Sequence, residues 1–125
     1  MYRTARSLIN TSNPLEYQEC VALTQYLKIL KMQGKVKQFT HISNETFTKS
    51  WMTKTRNTAM GVTSGIPDYV IVTNKKVLFL EMKRVKGGTV SPAQKEWIKD
   101  LRNAGAICEV CKGFNEAEKF IKLHI

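Results

Sequence analysis

The sequence predicts an α/β domain, a mixed β-sheet covered by helices in the order α-β-β-β-α-β-α. Three observations point there. Residues 69–72 and 77–80 are two compact runs of branched and aromatic residues separated by a polar four-residue segment. On either side of that pair lie stretches whose apolar residues recur at helical spacing. A last apolar run, residues 106–111, follows the second of these helical stretches.

Taken in order, residues 1–11 form an arm without periodicity. A helix opens near Ser12, Asn13 and Pro14, because asparagine caps a helix N-terminus and proline suits the first helical position. Its apolar stripe is Cys20, Leu23, Leu27 and Leu30, and Gly34 closes it. Residues 35–42, with Val36, Phe39 and Ile42, suit a half-buried strand. Residues 43–65 are polar and lack clear periodicity, the signature of a functional or mobile loop. The two β-rich runs then form a hairpin with its turn at 73–76; apolar on both faces, they belong in the middle of a covered sheet. Lys86-Gly87-Gly88 breaks the second strand. Ser91 and Pro92 open a helix whose buried face is Trp97, Ile98 and Leu101, ended by Gly105. A strand over 106–111 and a short helix over 115–123 complete the chain. No linker or repeat divides it, so residues 1–125 read as one domain.

Composition narrows the function. The chain has 125 residues, with 20 Lys+Arg against 10 Asp+Glu, a formal charge of +10. Its 42% hydrophobic content supports a core and excludes intrinsic disorder. No apolar run approaches the roughly 20 residues of a membrane span, and the first residues carry no apolar segment of the kind a secretory signal needs. Three cysteines fit a reduced, cytoplasmic compartment rather than a secreted one. The basic excess points to a polyanion, most simply nucleic acid.

In so basic a chain, carboxylates placed among apolar residues need a reason to be there. Asp68 follows a rigid proline at the mouth of the first hairpin strand. Glu81 and Lys83, two apart on the second strand, point to the same face. A hairpin brings the start of one strand beside the end of the other, so Asp68 should meet Glu81 and Lys83. Carboxylates that close repel each other unless a hard cation joins them, and oxygen ligands select Mg²⁺ or Mn²⁺. A lysine beside such a pair can hold a water or a phosphate oxygen. The alternative is plain: Asp68 caps a turn while Glu81 and Lys83 form an ordinary ion pair.

Gly65-Ile66-Pro67-Asp68 followed by Glu81-Met82-Lys83 resembles the PD-(D/E)xK nuclease superfamily. Within it the chain is similar to stand-alone phage and bacterial members of the VRR-NUC (virus-type replication-repair nuclease) family. Ser91-Pro92-Ala93-Gln94 leading into Trp97 and Gly105, Glu16-Tyr17-Gln18-Glu19, and His41-Ile42-Ser43-Asn44-Glu45 extend the likeness over residues 15 to about 121. The resemblance implies a restriction-endonuclease-like core and a metal-dependent endonuclease acting on DNA, selective for branched structures such as four-way junctions or flaps. It implies that Asp68, Glu81 and the Met82 backbone carbonyl ligate the metal. Lys83 would orient water or stabilise the pentavalent phosphorus, and Gln94 would support the site from the following helix. A glutamate of the first helix, best matched by Glu16, would complete the cluster. Glu16 also fits a capping box with Asn13, and Glu19 is a second candidate. Cys20 stands where many relatives have glutamine. Members of this size imply a homodimer in the cytoplasm of a bacterial or phage-infected cell. A non-catalytic DNA-binding module on the same fold and an RNA-directed nuclease remain the alternatives.

The other features read more modestly. Lys49, Lys54, Arg56, Lys75, Lys76, Arg84, Lys86 and Lys95 suit phosphate contacts around the site, though any one alone is an ordinary solvated charge. Trp51 either stacks on bases or anchors its loop. His41 reads first as an edge-strand residue, and Cys20 as a small core residue. Cys108 and Cys111 would face opposite sides of a strand, so they cannot chelate together.

Overall fold

The computed structural model describes residues 16–42 and 50–125, and among these four helices and four strands follow in the order α-β-α-β-β-α-β-α. Helix α1 (Glu16–Met32) turns Leu23, Leu27 and Leu30 inward, all of them buried. Its expected cap at Ser12, Asn13 and Pro14 lies outside the described residues, as do the arm and Lys49. Strand β1 (Val36–His41) follows, one residue shorter at each end than the sequence predicts.

The stretch expected to be a loop contains a helix, α2 (Trp51–Ala59). Ser50 caps it by accepting a hydrogen bond from the Thr53 amide at 3.2 Å. The reason it escapes a periodicity reading is physical: none of its residues is buried, so it carries no apolar stripe. Trp51 at its start is 76% exposed and does not anchor the segment to the body.

Strands β2 (Tyr69–Thr73) and β3 (Val77–Lys83) form the expected antiparallel hairpin. Its turn is held by Thr73 Oγ1, which accepts from the Lys75 and Lys76 amides. Helix α3 (Pro92–Asn103) then crosses over to β4 (Ile107–Lys112), which pairs parallel to β3, and α4 (Phe114–Lys122) ends the domain. The sheet order is β1-β2-β3-β4, so the hairpin occupies the centre as its two-sided apolar character requires.

Side chains alternate across the sheet. Tyr69, Ile71, Leu78, Leu80 and Met82 join Leu23, Leu27 and Leu30 of α1 and Phe120 and Ile121 of α4 in one core. Each fully buried leucine or isoleucine there contributes roughly 1.5–3 kcal/mol. On the opposite face, where Phe79, Glu81 and Lys83 point, α3 packs against β4 and reaches β3 through Gln94. Of that helix's three expected core residues only Ile98 is buried; Trp97 and Leu101 are half-buried, and Trp97 lines an open cavity of about 400 Å³ together with Thr63 and Ser64.

Cys108 and Cys111 are both buried, three positions apart on β4. Burial pushes their thiols up to about 11 and about 12, so they stay neutral. Among the described residues no helix is long and apolar enough to cross a membrane.

Candidate active site

The register of the hairpin places the site. Tyr69 lies opposite Leu80, so Asp68, one step earlier, falls beside Glu81. Asp68 is held by the backbone it faces: its Oδ2 accepts the Met82 amide at 2.9 Å. The preceding Gly65 takes φ +97° and lies so close to α3 that a Cβ there would sit 2.7 Å from the Ala93 backbone. That contact ties the loop bearing Asp68 to the start of α3.

The start of α3 has its own role. Ser91 caps the helix by accepting the Gln94 amide, and Gln94 Oε1 accepts the Ser91 amide in return. With its oxygen so committed, Gln94 turns its Nε2 toward the sheet and donates to Glu81 Oε2 at 3.0 Å. The same Glu81 oxygen lies 3.4 Å from the Lys83 ammonium, which is itself buried. The sequence spells this cap as Ser91-x-x-Gln94, a signal that reading Gln94 only as a supporting residue leaves unused.

Glu16 projects from the first turn of α1. One carboxylate oxygen from each of Glu16, Asp68 and Glu81 lies within 4.8 Å of the others. Two acids of one hairpin and a third from the first helix therefore meet at one end of the sheet, with Lys83 beside them. The electrostatic consequences are large. Burial first, and then the Asp68 charge, push the Glu81 carboxyl up to about 8. Burial and Asp68 likewise raise Glu16. Glu81 is 1% exposed, and its Oε1 has no hydrogen-bond partner.

A buried carboxylate oxygen without a donor is costly. Here it belongs to a carboxylate that lies among two other acids. Oxygen donors from three acids, one of them orphaned, suit a hard divalent ion such as Mg²⁺ or Mn²⁺. The donor set fits such an ion better than it fits an ordinary ion pair.

Glu19 is occupied elsewhere. Its buried carboxylate accepts the Phe114 amide at 2.7 Å and so caps α4, whose own N-cap, Gly113, has no side chain to do so. Sequence reasoning missed this role because the partner is 95 residues away. We expect Glu19→Ala to cost about 1–3 kcal/mol in urea denaturation while leaving Mn²⁺ affinity unchanged. Glu16→Gln should do the reverse, weakening Mn²⁺ binding with little loss of stability. Equal effects of the two on Mn²⁺ would remove the distinction.

Cys20 packs against the core, and its backbone carbonyl accepts the Tyr69 hydroxyl. Burial pushes its thiol up to about 12, so it offers the cluster no thiolate. His41, opposite Tyr69 in the register, stacks on that ring at 4.8 Å with an interplanar angle of 25°.

The basic residues divide by position. Lys83 and Arg84 line an open cavity of about 410 Å³ that also includes Glu16 and the Gly87-Gly88 turn. Lys86 and Lys95 are exposed just beyond β3 and beside Gln94, and Lys54 and Arg56 are exposed on α2. Lys75 and Lys76 do not bracket the acids. A hairpin that brings Asp68 beside Glu81 puts its turn at the far end, where Lys76 Nζ instead meets His124 Nδ1 at 3.1 Å.

A family model for the VRR-NUC domain matches residues 6–115. Among solved structures, a "VRR_NUC domain protein" superposes with TM-score 0.72 at 23% identity, covering 89% of this chain and 88% of the other. A second, described as "VRR_NUC domain", gives TM-score 0.58 at 18% identity over 86% and 98%. At these identities the two structures show a shared fold. Among curated proteins none matches the chain.

Proposed function

From the chain's membership of the VRR-NUC domain family, a family of nucleases, we propose that it is a Mg²⁺- or Mn²⁺-dependent endonuclease hydrolysing phosphodiester bonds in DNA. The observation that carries this reading is the convergence of Glu16, Asp68 and Glu81, with Glu81 Oε1 buried and unpartnered beside Lys83. Glu16, Asp68, Glu81 and the Met82 carbonyl would hold the ion. A divalent ion bound there polarises a phosphate oxygen and lowers the pKa of bound water.

The remaining work falls to the chain itself. Gln94 and Lys83 both engage Glu81 Oε2 and so fix the carboxylate's rotamer, leaving Oε1 for the ion. The Lys83 ammonium, on the same face, aligns the attacking water or neutralises charge developing on the phosphate. Asp68 is oriented by the Met82 amide. Arg84, Lys86 and Lys95 near the acids, and Lys54 and Arg56 on α2, draw in the DNA backbone without reading sequence. Phosphate contacts from such side chains carry no sequence information, so we read the selection as one of DNA structure, of branches or flaps, rather than of sequence. A two-fold pair of such domains would match the symmetry of a four-way junction. Light scattering that finds monomer alone, free and with junction DNA, would remove the pairing.

The test is cleavage of linear duplex, flap and four-way DNA with Mg²⁺, Mn²⁺ or EDTA. We expect metal-dependent cutting that favours a branched substrate. Tight DNA binding with no metal-dependent cutting of any substrate would overturn the enzyme reading in favour of a binding module.

A further inference from the structure

Beside the acid cluster, on the side away from α3, lies a groove of about 500 Å³ between α1 and the start of β2. Glu16 borders both the groove and the cluster, so the two are continuous. The volume is in the range of small-molecule sites. Its floor is the stacked pair of His41 on Tyr69, with His41 exposed on its outer side. Its wall is one stripe of α1, from Tyr17 through Thr24 to Lys28, turned away from the core leucines. At the rim the Tyr17 ring is 69% exposed.

The polar groups of the groove are placed to recognise something. The single phenolic proton of Tyr69 goes to the Cys20 carbonyl, so the Thr24 hydroxyl, 3.0 Å from the Tyr69 oxygen, must be the donor of that pair. Thr24 thereby keeps its lone pairs as acceptors. One residue on, the exposed Gln25 amide offers both donors and an acceptor, and Lys28 a cation. Flat aromatic surfaces, a mixed donor–acceptor edge and a nearby ammonium are together the chemistry of a nucleobase with its phosphate.

We propose that this groove is a subsite for one unstacked nucleobase of the substrate strand, adjoining the phosphate held at the acid cluster. The proposal rests on the nuclease reading for its substrate and names what that reading leaves open. A base lies against the His41–Tyr69 platform or the Tyr17 ring, its edge meets Thr24 and Gln25, and the neighbouring phosphate approaches Glu16, Asp68 and Glu81. A site that must take in an unstacked base works fastest where bases are already unpaired, at a flap or branch, because unstacking a paired base costs free energy. Selection by DNA structure then follows from the groove itself.

The experiment uses full-length protein and flap DNA carrying 2-aminopurine at successive positions near the branch. With the Asp68→Asn variant, so that DNA is bound but left uncut, we expect one position within two nucleotides of the cut site to change its fluorescence at least about twofold. Tyr17→Ala and Gln25→Ala, both at exposed positions that the fold does not need, should abolish that change. An abasic site at the same position should lower kcat/KM about tenfold in the parent protein and have no effect in Tyr17→Ala. Uniform fluorescence at every position on bound DNA, or equal cleavage of the abasic flap, would overturn the proposal.

The two readings fail separately. If no DNA is cut with any metal, the nuclease reading falls, while the groove is still tested by titrating the protein with AMP and following NMR shifts. Shifts centred on Tyr17, Thr24 and His41 support the subsite, and their absence overturns it. Concentration-dependent dimerisation lost in Tyr17→Ala, with no response to AMP, would assign the groove to a second copy of the chain and likewise overturn it.

Discussion

Asp68→Asn is expected to lower metal-dependent cleavage about a thousandfold or more, while flap-DNA affinity changes by less than about threefold, since the basic residues are untouched. Asparagine keeps an oxygen for the Met82 amide and replaces the facing carboxylate oxygen with a donor, so the local fold survives. The charge is what disappears. The same substitution should make the metal-free protein more stable at neutral pH, by about 1–2 kcal/mol, because without the Asp68 charge the Glu81 carboxyl falls back toward its ordinary value and folding no longer has to hold as costly a proton.

The pH dependence follows the same logic. The Glu81 carboxyl titrates near 8 in the fold against an ordinary value of 4.5. Its protonated form therefore favours the native state, fully below pH 4.5, and that contribution is lost as pH rises through about 8. Urea denaturation of the metal-free protein should show stability falling over this window, with a shallower fall in Asp68→Asn. An activity loss without a gain in metal-free stability would mean that Asp68 does not face Glu81 as an anion.

The second large effect concerns Gly65, which touches no substrate group in this account. Gly65→Ala introduces a Cβ at φ +97° and 2.7 Å from the Ala93 backbone, and neither obstacle is a flexible side chain. The expected cost is about 2–4 kcal/mol, read from urea denaturation. Gly34→Ala is the control, because Gly34 has φ +76° but nothing within 4 Å of the added methyl; it should cost only about 1 kcal/mol. The difference between the two isolates the contact with α3 from backbone strain. Since α3 carries Gln94 to Glu81, Gly65→Ala should also slow cleavage about tenfold under conditions where it remains folded. Equal costs at the two glycines would show that the loop does not lean on α3.

The sequence discloses most of this site because two of its acids and its lysine sit on one hairpin. Period-two alternation and the closeness of hairpin ends bring Asp68, Glu81 and Lys83 together without any knowledge of the rest of the fold. Glu16 is harder to place. It shares its turn with Glu19, both are acidic and both face partly inward, and only the α1–α4 packing reveals that Glu19 is bound to the Phe114 amide. Distant pairings of this kind leave no local trace. Helix α2 escapes for the opposite reason, as it buries nothing and so lacks the apolar stripe by which helices are recognised. The turn lysines mislead because proximity in sequence to β3 is not proximity to the acids in space: Lys75 and Lys76 lie a full strand length from Asp68.

The central claim is that the three converging carboxylates are a metal site and not a strained acid cluster. Calorimetric titration of the DNA-free protein with Mn²⁺ at pH 7, in two buffers of different ionisation enthalpy, tests it most directly. A metal site there should give saturable binding that releases about one proton, the one burial and Asp68 keep on Glu81, and Asp68→Asn should lose that binding. Saturable Mn²⁺ binding that survives Asp68→Asn, or no binding to the folded wild-type protein while DNA is still cut, would contradict it.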